Sequence, residues 1–185
     1  ARDASLTGGT ENDTFNFTGE VRDSSVVGGF GADSLVLGNA GTDFVRGTTV
    51  LGGQPGAGSS ALDGADFISV AGSMSASAVY GNSGADSLLI GGNATASTLN
   101  GGADADLVSV AGNLSAGQIF GGSGVDSVII TGTLTGGATV RLDGSGSSEN
   151  FEDAYPFNDD RPDNPGRVNY KHSFGDYDCL LFWIA

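Results

Sequence analysis

One cysteine, Cys179, excludes an internal disulfide framework. Four prolines and no Gly-X-Y period exclude collagen, despite 33 glycines. No stretch approaches the ~20 apolar residues of a membrane helix. Basic side chains are scarce. Seven against 22 acidic ones give a net charge of −15, a surface that repels nucleic acid and anionic membranes and attracts cations. The single histidine, His172, has Ser173 as its immediate neighbour, and Cys179 lies in an apolar run, so no nucleophile is positioned for either. Paired acids such as Asp159-Asp160 or Asp104/Asp106 lack the long loops and groove aromatics of carbohydrate-active β-helices. No catalytic residue is assigned and a non-enzymatic protein is expected. The chain opens Ala1-Arg-Asp-Ala without a basic-then-apolar leader. A removed leader, a fragment, or export that uses no N-terminal signal would each account for this.

What is abundant is glycine in phase with aspartate. Asp66, Asp86, Asp106 and Asp126 lie twenty residues apart, each closing a glycine-rich hexamer and opening a short apolar run. A fixed period of this length marks a repeat architecture whose units bury their faces only against neighbours. Two residues after each aspartate come Ile68, Leu88, Val108 and Val128, and four after come Val70, Ile90, Val110 and Ile130. That is the period-two alternation of a strand with one face inward. Gly72, Gly92, Gly112 and Gly132 follow as turns, then apolar Met74, Ala94, Leu114 and Leu134. Thirteen residues after each aspartate come Val79, Leu99, Ile119 and Thr139, the expected inward positions of a second strand.

The same frame fits Asp13 and Asp33. Gly38 to Asp43 reads as a half-coil copy, and residues 47–60 as an insertion loop that lengthens the Asp33–Asp66 interval. A helix is excluded by the period, the β-branched inward residues and the recurrent glycine. The expected fold is an all-β, parallel β-solenoid of about seven coils of ~20 residues, spanning 1–147. Composition shifts at Ser148. Eight of the fifteen aromatics lie in the last 35 residues, which are expected to form a cap, a docking element or an export segment. Phe174, Tyr177, Leu181, Phe182 and Trp183 are its candidate partner-docking residues.

Stacked coils put the aspartates on one edge. Two bare carboxylates at about 4.8 Å repel by roughly 0.9 kcal/mol even in water. A ladder of six is therefore unfavourable unless something neutralises it. Oxygen-only ligands suit a hard cation such as Ca²⁺, and the repeats hold no histidine or cysteine for zinc. The alternative is that the aspartates only brace turns by hydrogen bonds to the backbone.

The motif Gly-Gly-x-Gly-x-Asp-x-(apolar)-x, complete at 28–36 and 121–129 and looser from residues 8, 38, 61, 81 and 101, resembles the nonapeptide of repeats-in-toxin (RTX) β-rolls. The resemblance spans roughly residues 8–146. It implies Ca²⁺ sandwiched between coils by the carboxylates of Asp13, Asp33, Asp66, Asp86, Asp106 and Asp126. Turn carbonyls around Gly28, Gly31, Gly81, Gly84, Gly101, Gly121 and Gly124 would complete the sites. Asp43 in the half-coil copy, and Asp63 and Asp104 at substituted positions, are further candidate ligands. One hexamer per coil, where RTX rolls carry two, implies a single calcium row. The resemblance also implies a bacterial structural or adhesive module, secreted or surface-displayed through a type I system. A second expectation is a subunit of a virion fibre, decoration protein, surface layer or filament, with the aromatic tail docked on a neighbour.

Overall fold

The computed structural model describes residues 1–39, 41–54, 62–142 and 148–151, the last four by backbone alone. The expected docking residues Phe174, Tyr177, Leu181, Phe182 and Trp183, and residues 55–60 of the expected insertion loop, lie outside the described residues. Among the described residues the chain is all-β, with twenty strands in three parallel sheets. One sheet ends its strands on the glycine hexamers. Its strands are Ser5–Gly9, Ser25–Gly29, Thr49–Gly53, Ala78–Ser83, Thr98–Ala103, Gln118–Ser123 and Thr139–Arg141. Six strands of the aspartate sheet begin just after the ladder aspartates, Thr14–Phe17, Ser34–Leu37, Phe67–Val70, Ser87–Ile90, Leu107–Val110 and Ser127–Ile130, and Ser148–Phe151 is its seventh. The short sheet has six strands of two or three residues, from Val21–Arg22 to Leu134–Thr135. Among the described residues the solenoid has six complete turns and two strands of a seventh.

The expected coil of two strands is corrected to three. Segments read as small-residue turns, such as Ser73–Ser75 and Ala94–Thr95, pair with one another because Met74, Ala94, Leu114 and Leu134 are drawn into the core. The hexamers are not turns throughout either, since their first residues continue the glycine sheet.

The register also relocates the extra residues between Asp33 and Asp66. Val21 pairs with Val45, 24 residues on, and Val50 lies opposite Val79, 29 residues on, whereas regular coils advance by 20. Four residues are thus added at the corner containing 38–43, and nine between Gly53 and Asp63. Thr49–Gly53, placed in the insertion at the outset, is a regular strand paired on both sides. One more residue enters after Leu134, so Val140, not Thr139, stands beside Ile119 in the core. Ser148–Phe151 pairs with Ser127–Ile130, which carries the solenoid past residue 147.

Burial follows the alternation. Val79, Leu99 and Ile119 form one inward row, Leu88, Val108 and Val128 another, and Ile90, Val110 and Ile130 a third, all at most 2% exposed. Residues between them face out. Every coil thus contributes similar apolar side chains to one continuous column, the condition under which stacking stabilises each unit.

Each of the three corners carries its own side-chain ladder. Where the short sheet meets the glycine sheet, the Thr48 and Ser77 N–H groups donate to Ser77 and Ser97 Oγ at 3.1 and 3.3 Å. The Ser77 and Ser97 hydroxyls in turn donate to the carbonyls of Ser75 and Thr95 at 2.8 Å. Between the aspartate and short sheets an exposed ladder runs through Ser73, Asn93, Asn113 and Thr133. Both are neutral. The third corner, between the glycine and aspartate sheets, is built from carboxylates.

Candidate functional site

The aspartates stand in one column. The N–H groups of Asp13, Asp33 and Asp66 donate to Oδ1 of Asp33, Asp66 and Asp86, each at 2.7 Å. Asp86 and Asp106 continue the series onto Oδ1 of Asp106 and Asp126 at 2.8 and 3.1 Å. The five aspartates from Asp33 to Asp126 are between 1% and 3% exposed. They occupy the last inward position before each strand of the aspartate sheet. They therefore belong to the wall of the core and not to a solvent edge.

Glycine makes room for them. A methyl group on Gly28, Gly81 or Gly101 would overlap Oδ2 of Asp33, Asp86 or Asp106, five residues on. The same methyl would overlap the carbonyl of the equivalent glycine on the next coil, Gly52, Gly101 or Gly121. The first glycine of each hexamer is thus fixed by close approach of a carboxylate on one side and a carbonyl on the other. Gly31, Gly84 and Gly124, also expected at the site, lie further round the turn with positive φ. They stack on the backbone of Glu11, Gly64 and Asp104 and away from the carboxylates.

The second carboxylate oxygen is the anomaly. Among the described residues, Oδ2 of Asp33, Asp66, Asp86 and Asp106 is buried and has no hydrogen-bond partner, and no basic side chain pairs with any of the four. A buried ionised carboxylate in this state costs several kcal/mol. Burial accordingly drives each of them up. Asp66 and Asp106 are pushed to about 7 and Asp86 to about 9, in spite of the N–H bonds that favour the charged form. Asp33 is raised for the same reason. Neighbouring aspartates on the column add to the rise.

Asp63 joins this column and Asp43 and Asp104 do not. Asp63 is buried over Gly53, accepts from the Ser83 N–H at 3.2 Å with Oδ2, and has an Oδ1 without a partner. Its charge contributes to the rise at Asp66 and Asp86, which makes coils two to four the most acidic stretch of the core. Asp43 sits at a different corner, where its Oδ2 accepts from the Asn39 N–H at 2.9 Å and braces its own turn. Asp104 is exposed, with φ of 78° in place of a glycine, and acts on Asp106 only by its charge.

Among the described residues no three histidine, cysteine or acidic side chains converge on one point. A cation here would be held by one or two carboxylate oxygens and by glycine carbonyls, an oxygen-only donor set suited to a hard ion. The buried partnerless Oδ2 atoms and the adjacent carbonyls of Gly52, Gly101 and Gly121 fit that chemistry. The buried serine–threonine ladder was not foreseen from the sequence. Its signal was present in Ser77 and Ser97, eleven residues after Asp66 and Asp86.

No protein-family model, curated protein or solved structure matches this chain.

Proposed function

We propose that the chain is a non-enzymatic structural module of a secreted or surface-displayed protein, a rod stiffened by Ca²⁺ held between successive coils. The observation that carries this is the row of buried Oδ2 atoms at Asp33, Asp66, Asp86 and Asp106 that, among the described residues, have neither a hydrogen-bond donor nor a basic partner. Each requires a proton or a cation. The other two corners achieve the same stacking with neutral side chains, so stacking alone does not call for acids. Asp33, Asp66, Asp86 and Asp106, with Asp63 beside them and the carbonyls of Gly52, Gly101 and Gly121, would hold the ions. When bound, Ca²⁺ supplies positive charge that ties one coil to the next. The resemblance to the RTX nonapeptide points to the same ion.

Sites with so few carboxylates per ion belong to the weak class, with Kd of about 10⁻⁴–10⁻³ M, matched to extracellular calcium. Counting bound ions by equilibrium dialysis near 1 mM free Ca²⁺ tests this. Several ions per chain, not displaced by equimolar Mg²⁺, are expected. Absence of uptake would overturn the proposal. A second role, as a subunit of a larger assembly, draws support from the end strands Ser5–Gly9 and Thr14–Phe17. Each is the terminal strand of its sheet, and a further coil could stack there.

A further inference from the structure

The outer face of the aspartate sheet carries a pattern that neither the core nor the calcium reading uses. Strand register places two outward residues per coil, and from the second coil to the sixth one is apolar and the other serine, in strict alternation. Val36 is followed across the sheet by Ser69, Ser69 by Leu89, Leu89 by Ser109 and Ser109 by Ile129. In the parallel row, Ser34 is followed by Phe67, then Ser87, Leu107 and Ser127. The apolar residues therefore form a zigzag, Val36, Phe67, Leu89, Leu107, Ile129. Diagonal neighbours on a sheet lie about 7–8 Å apart, within reach of long side chains, so the zigzag is a continuous apolar track. Phe67 is 41% exposed.

This face bears no charged side chain in its first six strands, in a chain of net charge −15. The outer faces of the other two sheets carry arginines, Arg22 and Arg46 on one and Arg141 on the other. An apolar segment can cover the uncharged face without desolvating an ion. The last described strand, Ser148–Phe151, also belongs to this sheet. Residues 179–184, Cys-Leu-Leu-Phe-Trp-Ile, follow after 152–178. Those 27 intervening residues reach about 90 Å when extended. The track spans about 19 Å at four strand spacings. A tethered segment of this reach meets the face at an effective concentration near millimolar, which favours its own face over a second copy at micromolar protein.

We propose that the uncharged outer face of the aspartate sheet is the docking surface for residues 179–184 of the same chain. Cys179 is the chain's only cysteine and supplies the probe. Ser69→Cys, Ser109→Cys and Ser127→Cys place a thiol within the track, and Thr95→Cys places one on the outer face of the short sheet. The full chain is oxidised in calcium-containing buffer and run on a non-reducing gel, after circular dichroism has shown each variant folded. At least one track position is expected to form an intramolecular disulfide with Cys179 on the order of tenfold faster than Thr95→Cys. Leu89→Asp, added to that variant, is expected to abolish the preference. Disulfide-linked dimers as the main product would assign the face to a second copy and overturn the proposal. Equal rates at track and control positions, or no cross-link in the track, would also overturn it.

Discussion

The Asp86 N–H donates to Oδ1 of Asp106 at 2.8 Å, twenty residues on in sequence and one coil along the rod. The same carboxylate keeps its Oδ2 buried and unpartnered. One oxygen therefore sets the register of the stack, and the other creates the need for a counter-charge.

That split gives a pH dependence to the metal-free rod. Asp66, Asp86 and Asp106 have folded-state values of about 7, 9 and 7, above the usual 3.8, so the folded state holds more protons than the unfolded chain. Stability is then full below pH 4 and is lost as pH rises through 7 to 9. Urea midpoints in EGTA are expected to fall from pH 5 to pH 9, and added Ca²⁺ to restore them most at the alkaline end.

Asp86→Asn keeps the Oδ1 acceptor and removes the buried charge. The metal-free variant is expected to melt at a higher temperature than the parent at pH 6, where the metal-free parent is still folded, and to bind fewer calcium ions by dialysis. Asp43→Asn, at a corner outside the column, is expected to change neither.

Gly81→Ala inserts a methyl into Oδ2 of Asp86 and the Gly101 carbonyl. Overpacking of this kind costs about 1–3 kcal/mol. Gly41→Ala meets nothing within 4 Å and is the control. Denaturant midpoints of the two variants separate the close-approach role from a general effect of losing glycine.

Leu88 and Leu89 are adjacent and face opposite ways, the first fully buried and the second outward. Leu88→Ala is expected to cost about 2–5 kcal/mol, and Leu89→Ala, which opens no cavity in the core, about 1 kcal/mol or less. Calcium-loaded unfolding curves measure both.

The solenoid, its period and its inward rows were legible in the sequence because side-chain alternation and the twenty-residue spacing act locally, as at Ile68, Leu88, Val108 and Val128. The third sheet was not. Its strands are two or three residues long, too short for a period to register, and tertiary pairing alone makes Ala94–Thr95 a strand. The 33-residue gap after Asp33 was visible, but its division into four and nine extra residues required the register of Val45 and Val79. Asp13 to Asp126 were recognisable as one set. That they point into the core, and that Asp43 and Asp104 stand apart, depends on which corner each turn occupies.

The central claim is that these buried carboxylates need a cation for the rod to fold at neutral to alkaline pH. Far-ultraviolet circular dichroism at pH 8, first in EGTA and then with excess Ca²⁺, tests it most directly. A largely unfolded spectrum in EGTA that turns into a β spectrum on calcium addition is predicted. An unchanged β spectrum with the same melting temperature in EGTA would contradict it.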